Sequence, residues 1–470
     1  MADNRENTFN ITHFCLEVVT LIISFLSLPD AMNLCSLHRS WSNLWSHCRI
    51  IDLNENTFSD VDEIHRAIDD GDEELAMHLK HIRRSLFIKH VRWVLPHLQS
   101  HFFSKFSLRI WCEPEHHELI EDWIRFATER NVEELSLDFS DEDPCPNIFI
   151  RRFTMPKFFY SFGGSIKSLS LNSCYLREPN FQTFILLTKV SFTSIDVSMV
   201  DVLNLVTNSP LLEDLSLVQC YKIFSLVLGF TCLNLKRLVV KDCGPLSFGI
   251  SLHVPNLRYF EFAGGLISID LTQLHSIEEA VLDYGVETVD HYNTLGMKYL
   301  IRGLKQARKL KLCSYVHKVL PSNYCCFYYP SLQLKNLVHL TLKTFVQGYE
   351  LPGIICLLAL VPNLRTLSIM SGYIRSMNDF FCFDFPSMPD GFWRRPTWPL
   401  NCLEIIQMIA FSAHDYEIEL LNFLLRNGLV LQKVIIKPKE ASDLILQAIL
   451  GLQNVPKASE TVQIAYELIT

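Results

Sequence analysis

Cys112, His116, His117 and Glu118 bring a thiol, two imidazoles and a carboxylate into one short stretch, and these are the ligand types that hold zinc. A zinc site needs four ligands at disciplined spacing, and the surrounding sequence lacks the second half of such a set. The run is read as the start of a surface helix. Ser412, His414 and Asp415 carry the three groups of a hydrolytic triad. A triad is assembled from distant positions, not from one short loop, so this grouping is read as coincidence. Gly163-Gly164-Ser165 lacks the glycine-lysine ending of a phosphate loop, and Gly264-Gly265 reads as a turn. Cys325-Cys326 is a vicinal pair in an aromatic loop and reads as packing. No catalytic residue, metal or cofactor is assigned.

The residues that do recur are apolar, spaced apolar-x-x-apolar-x-apolar and often closed by Cys or another small residue three places on. Leu212, Leu215, Leu217 and Cys220 form one copy; Leu235, Leu238, Val240 and Cys243 another; Ile166, Leu169, Leu171 and Cys174 a third. Weaker copies start near Arg83, Phe103, Val132, Leu187, Leu257, Ile277, Ala307, Leu337, Leu364, Leu403 and Leu431. The mean step is about 27 residues, inside the window of leucine-rich repeats. The x-L-x-L-x core alternates with period two, which makes a strand with one buried face. One such unit cannot bury its apolar side alone, so the units must stack. The expected fold is an α/β repeat, an irregular solenoid with a parallel sheet. The leucines are then core.

Function falls to the intervening strand residues, which are expected to face solvent. They include Glu213, Asp214 and Ser216; Lys236, Arg237 and Val239; Arg258, Tyr259 and Glu261; His339, Thr341 and Lys343; and Arg365, Thr366 and Ser368. They mix both charges with aromatics, as a protein-binding surface does. Glu213, Asp214, Lys236, Arg237, Arg258, Tyr259, His339, Lys343 and Arg365 are the candidate target-binding residues.

Composition bounds the partners. The chain has 470 residues and a net charge of −9, so it lacks the cationic surplus that nucleic acid demands. The basic residues Lys80, Arg83, Arg84 and Lys89 read as a solvated face. The longest apolar run, Val18 to Leu28, is too short to span a membrane, and the polar start MADNRENTFN is unlike a secretory signal. The 15 cysteines are therefore expected to be reduced thiols, in a cytoplasmic or nuclear protein.

The segment Phe14 to Trp45 has apolar residues on too many faces for one small core: Val18, Val19, Ile22, Ile23, Phe25 and Leu26, then Trp41, Leu44 and Trp45. It needs a partner. Ser24-Phe25-Leu26, Asp30-Ala31, Leu37, Arg39, Trp41, Asn43, Leu44 and Trp45 resemble the F-box in its plant form. Asn208 to Cys220 is similar to that family's leucine-rich repeats. Cys402-Leu403, Glu417, Glu419, Leu420, Phe423, Leu424, Asn427, Leu431 and Ile435 resemble its C-terminal FBD region. The chain thus resembles the plant F-box/FBD/LRR-repeat family over nearly its whole length. One departure is that Phe14-Cys15 stands where the family has Leu-Pro.

The resemblance implies a substrate-recognition subunit of a Skp–cullin–F-box ubiquitin ligase, with no bond chemistry of its own. The F-box would bind a Skp-type adaptor, and through it a cullin and a RING protein. Adaptor contacts would come from Phe14, Glu17, Val18, Val19, Ile22, Phe25, Leu26, Asp30, Trp41, Leu44 and Trp45. The repeats would hold an unknown target protein. The expected organisation is an F-box-like module at 10–50, an acidic linker at 51–80, and repeats at 81–378. A proline- and aromatic-rich loop follows at 379–399, then the FBD region at 400–470. The alternative is an interaction or scaffold protein of the same architecture whose degenerate F-box no longer engages the adaptor, and Phe14-Cys15 is the feature that favours it.

Overall fold

The structure, a computed structural model, describes residues 15–58, 61–140, 152–229, 232–284, 294–319, 332–348, 350–372, 400–440 and 442–468. Phe14, Cys325-Cys326 and the 379–399 loop lie outside the described residues. The chain divides into two compact units, Met1–Leu212 and Glu213–Thr470.

The first unit opens with helices α1 (Leu16–Ile23) and α2 (Leu28–Ser36). The Ser24 hydroxyl donates to the Leu21 carbonyl at 2.7 Å and closes α1. Ser27 caps α2, its hydroxyl accepting from the Asp30 amide, and Pro29 lies in the first turn, where no amide is needed. Two short 3-10 turns, Arg39–Trp41 and Leu44–His47, lead into the first strand, Ile50–Asn54. Helices α3 (Val61–Asp69) and α4 (Glu73–His97) follow, the latter capped by Asp72, which accepts from the Leu75 amide at 3.0 Å. The strand Ile50–Asn54 then pairs in parallel with Lys105–Arg109, which pairs with Glu134–Asp138, Ser168–Asn172 and Lys189–Thr193 in turn. Register stacks Leu53, Leu108, Leu137, Leu171 and Phe192 into one buried row. Helices α5 (His117–Thr128) and α6 (Met199–Asn208) complete this unit.

The second unit carries ten more parallel strands in its main ladder among the described residues, from Asp214–Val218 to Gln463–Tyr466. Leu215, Leu238, Phe260, Ala280, Leu310, Leu340, Leu367, Ile406, Val434 and Ile464 form its continuous apolar row. Its helices are α7 (Thr294–Gly303), α8 (Ser314–Val319), α9 (Leu351–Leu360), α10 (Asp415–Asn427) and α11 (Asp443–Gln453). The parallel repeat architecture expected from the leucine spacing is therefore present.

Three details depart from the sequence reading. The copy placed near Arg83 is the middle of α4, where Phe87, Val91 and Val94 are buried at helical rather than strand spacing. The strands Ile50–Asn54 and Gln463–Tyr466 were not expected. The first does follow the pattern, as Cys48, Ile51 and Leu53, with a cysteine leading. The second lacks a leading apolar residue, because Thr461 stands there. The 51–80 stretch, read as a linker from its acidity, holds a strand and the helix α3 and runs into α4.

Five of the strands leave by a similar device. Ser173, Ser194, Gln219 and Asp242 directly follow strands and have φ near +50 to +57°, and Gly372 has +68° at the same place. A non-glycine residue there costs of order 1 kcal/mol. Their amides extend the ladder by one rung: Gln219 N donates to Lys241 O and Asp242 N to Ala263 O, each at 2.7 Å. The closing cysteine comes next. Cys174 and Cys220 are fully buried, and Cys243 is half-buried with its thiol donating to Leu217 O at 3.3 Å.

Candidate functional site

Helix α1 divides its apolar residues between two faces. Val19 and Ile23 are fully buried, whereas Leu16, Val18, Leu21 and Phe25 are 48, 38, 55 and 68% exposed. Leu37, after α2, is also exposed. The inner face is fixed by Cys48, whose thiol donates to the carbonyls of Ile23 and Leu26, both at 3.6 Å; burial pushes this thiol up to about 12. A bridge between Ser27 and Ile50 joins the helical pair to the first strand. Trp45 stacks on Trp93 of α4, with ring centroids 5.3 Å apart.

The candidate adaptor residues therefore separate by burial. Glu17, Val18, Phe25 and Asp30 are exposed, and Ile22, Leu26 and Leu44 are half-buried. Val19, Trp41 and Trp45 are core, so they shape the face from behind. Leu16, Leu21 and Leu37 belong to the exposed set and were not among the expected adaptor contacts. The 3.6-residue period of α1 was the available signal: Leu21 and Phe25 lie one turn apart on the side opposite Val19 and Ile23. Beside them opens a cavity of about 680 Å³, lined on one side by Glu17, Thr20, Leu21 and Ser24 and on the other by His47, Arg49, His101 and Phe102.

The second surface is the polar face of the strands in the second unit. Its charges are paired across neighbouring strands. Lys236 meets Glu213 at 2.7 Å, Arg258 meets Glu278 at 3.6 Å, and Arg365 meets Glu404 at 3.8 Å. Arg237 lies between Asp214 and Glu261 at 3.8 and 3.9 Å, with its guanidinium 3.9 Å from the centre of the Tyr259 ring. Lys241 and the Tyr259 hydroxyl both donate to Glu261, at 2.8 and 2.7 Å. Burial pulls the Glu261 carboxyl up, but those hydrogen bonds and the nearby cations outweigh it and hold the group below its usual range. Burial and the bond to Glu261 push Tyr259 up to about 12.

His339 stands exposed in the same row as Lys309 and Thr366. Two candidates are not on the open surface. Val239 is buried, and Lys343 is buried in an ion pair with Asp283 at 2.6 Å. The strands Tyr259–Gly264, Glu279–Tyr284 and His339–Thr344 each end in three consecutive buried residues, so strict alternation fails at their last turns. Lys241, Glu279 and Lys309 join the polar face: Lys241 reaches Glu261, Glu279 sits in register opposite Tyr259, and Lys309 opposite His339.

The other constellations resolve structurally. Pro114–His116 is a 3-10 turn leading into α5. Ligand atoms of Glu113, Glu115 and His116 lie within 4.8 Å of one another. Arg84 already holds Glu113, and burial pushes the Cys112 thiol up to about 12. Ser412 donates through its amide and hydroxyl to the buried Glu417 carboxylate, at 3.0 and 2.9 Å, and the His414 amide donates at 3.1 Å. That arrangement caps α10. At Gly163 an added Cβ would lie 2.5 Å from the Phe184 ring, so the glycine serves close packing. No helix among the described residues is long and apolar enough to cross a membrane.

A family model described as At1g61320/AtMIF1, LRR domain, matches residues 101–448. The chain is 25% identical to Arabidopsis thaliana At1g56400, whose name describes an F-box/LRR-repeat protein, over 87% of this chain and 85% of that one. It is 25% identical to the F-box protein At3g62230 of the same plant, over 89% and 88%. It is 21% identical to At1g61330, whose name describes an FBD-associated F-box protein, over 91% of each.

Proposed function

The chain belongs to the At1g61320/AtMIF1 LRR-domain family, among plant F-box/LRR-repeat proteins, and from that we propose that it is the substrate-recognition subunit of a Skp–cullin–F-box ubiquitin ligase. The observation that carries this is the exposed set Val18, Leu21 and Phe25, on and just after a helix whose opposite side, Val19 and Ile23, is locked into the fold. An apolar surface held rigid before binding loses little entropy when covered. Covering each large side chain is worth about 1.5–3 kcal/mol. A Skp-type adaptor is the occupant, and a cullin and a RING protein follow through it. The polar strand face binds the target protein. The receptor makes and breaks no bonds; it raises the local concentration of target lysines at the charged conjugating enzyme. Its place of action is the cytoplasm or nucleus. The FBD region, 400–470, closes the end of the repeat array.

Co-purification with a Skp-type adaptor tests this. The wild-type chain forms a complex, and Leu21→Glu with Phe25→Glu weakens it by at least about 100-fold without loss of folding, as two anchors removed from an interface centre do. No complex at micromolar concentration removes the ligase reading. The second reading is then an interaction or scaffold protein without adaptor. It is favoured by the start of α1, where Cys15 occupies the cap position and makes no side-chain capping bond.

A further inference from the structure

Helix α4 is apolar on two sides. One side is partnered: Ala76, Phe87, Val91 and Val94 are buried, and the Phe87 ring meets Phe58 and Trp123 at 5.5 and 6.2 Å. The other side carries Leu75, Ile82, Leu86 and Trp93, each between 42 and 51% exposed. With 3.6 residues per turn, these four lie within about 20° of one line along about 27 Å of helix. Leu79, half-buried, falls beside them. The spacing 75, 79, 82, 86, 93 is that of a coiled-coil seam. Trp93 already rests one face on Trp45, so its ring is held in place for contact.

The charges beside the seam decide what fits it. Glu74 and Arg92 are both exposed and both lie about 100° to the same side of the line, at opposite ends of the stripe. When two copies of one helix meet antiparallel across a two-fold axis, this flank of one faces the same flank of the other, end reversed. Glu74 of each copy then meets Arg92 of the other, twice. Leu75 faces Trp93, and Ile82 faces Leu86. A parallel pairing sends the two flanks to opposite sides and makes neither contact. Lys89 lies near the seam on that same flank and can lay its methylenes along it while its ammonium stays in water.

We propose that this stripe of α4 is a homodimer interface, occupied by the same stripe of a second copy of this chain, antiparallel. The isologous contact uses one patch twice. The contact is one stripe of four exposed apolar side chains on each copy, so a weak dimer is expected, with a dissociation constant of the order of micromolar.

Sedimentation of the full chain alone tests it, with no adaptor present, so that failure here is separate from failure of adaptor binding. At tens of micromolar the wild type is expected to show a reversible monomer–dimer equilibrium. Leu86→Lys, at an exposed position, weakens it at least about ten-fold. Glu74→Arg and Arg92→Glu each dimerise less than wild type. Mixed together, these two variants associate at least as tightly as wild type, because each then meets only opposite charge. A monomeric wild type at that concentration overturns the proposal, and points to another protein as the occupant. A dimer indifferent to Leu86→Lys, or a mixture no better than its separate components, also overturns it.

Discussion

Lys343 and Asp283 are 60 residues apart in sequence and 2.6 Å apart in space, both with almost no exposure. Two charges taken from water are costly, and each offsets part of the other's burial. Lys343→Met is therefore expected to cost about 3–5 kcal/mol in denaturant unfolding, since it removes the cation paired with a buried carboxylate. Lys343→Met combined with Asp283→Leu should recover most of that loss. Glu261 makes a different prediction. Its folded-state pKa lies below the ordinary 4.5, so its contribution to stability is present above pH 4.5 and is lost as pH falls below it. Glu261→Gln is expected to flatten the decline of thermal stability with acid below that pH, relative to wild type. These residues also show where sequence reading stops. Period two placed Lys343 in water, and the burial of the last turn of its strand is a tertiary effect that no local pattern encodes.

At the scale of elements, α1 and α4 share a trait: each puts apolar residues on two faces and has one covered by its own chain. In α1 the sequence alone showed too many apolar residues; the structure separates core from surface. Trp41 illustrates this. It belongs to the motif that resembles an F-box, yet it is 2% exposed. Trp41→Ala is expected to lower stability by about 3–5 kcal/mol in thermal or chemical unfolding, while Phe25→Ala changes it by under about 0.5 kcal/mol. A Trp41 variant that loses a partner thus reports folding, and a Phe25 variant reports docking. In α4 the burial of Arg83 and Arg84 was hidden behind the reading of a solvated basic face. Their counter-charges, Glu55 and Glu113, come from elements 28 or 29 residues away in the chain. Burial pushes the Glu55 carboxyl up, against the pull of Arg84 and Arg83.

For the molecule as a whole, the leucine spacing made the parallel strands legible, because each repeat must place the same apolar pair in the same row. Strands with a leading apolar residue were found to within a residue or two. The strand led by Cys48 and the one led by Thr461 were missed, and a helix was taken for a strand where its apolar residues crowded. The candidate surfaces were legible in kind rather than in membership. Sequence could say that strand residues between leucines are polar, but not that Lys236, Arg237 and Arg258 are already paired with neighbours.

The left-handed residues after Asn172, Thr193, Val218, Lys241 and Ser371 turn the chain out of the sheet at those exits. Throughout the second unit's ladder the strands keep their order whatever length lies between them. Tyr259 pairs with Glu279 after 20 residues, and Thr366 pairs with Ile405 after 39, with equal order in the ladder. Closing a longer loop costs only about 0.6 kcal/mol per doubling of length. The intervening segments are therefore the places where this chain can gain or lose sequence cheaply, as books of different depth share one shelf edge. A peptide tag or a reporter domain grafted there leaves the ladder intact, whereas a single residue added inside a strand moves every later side chain to the other face.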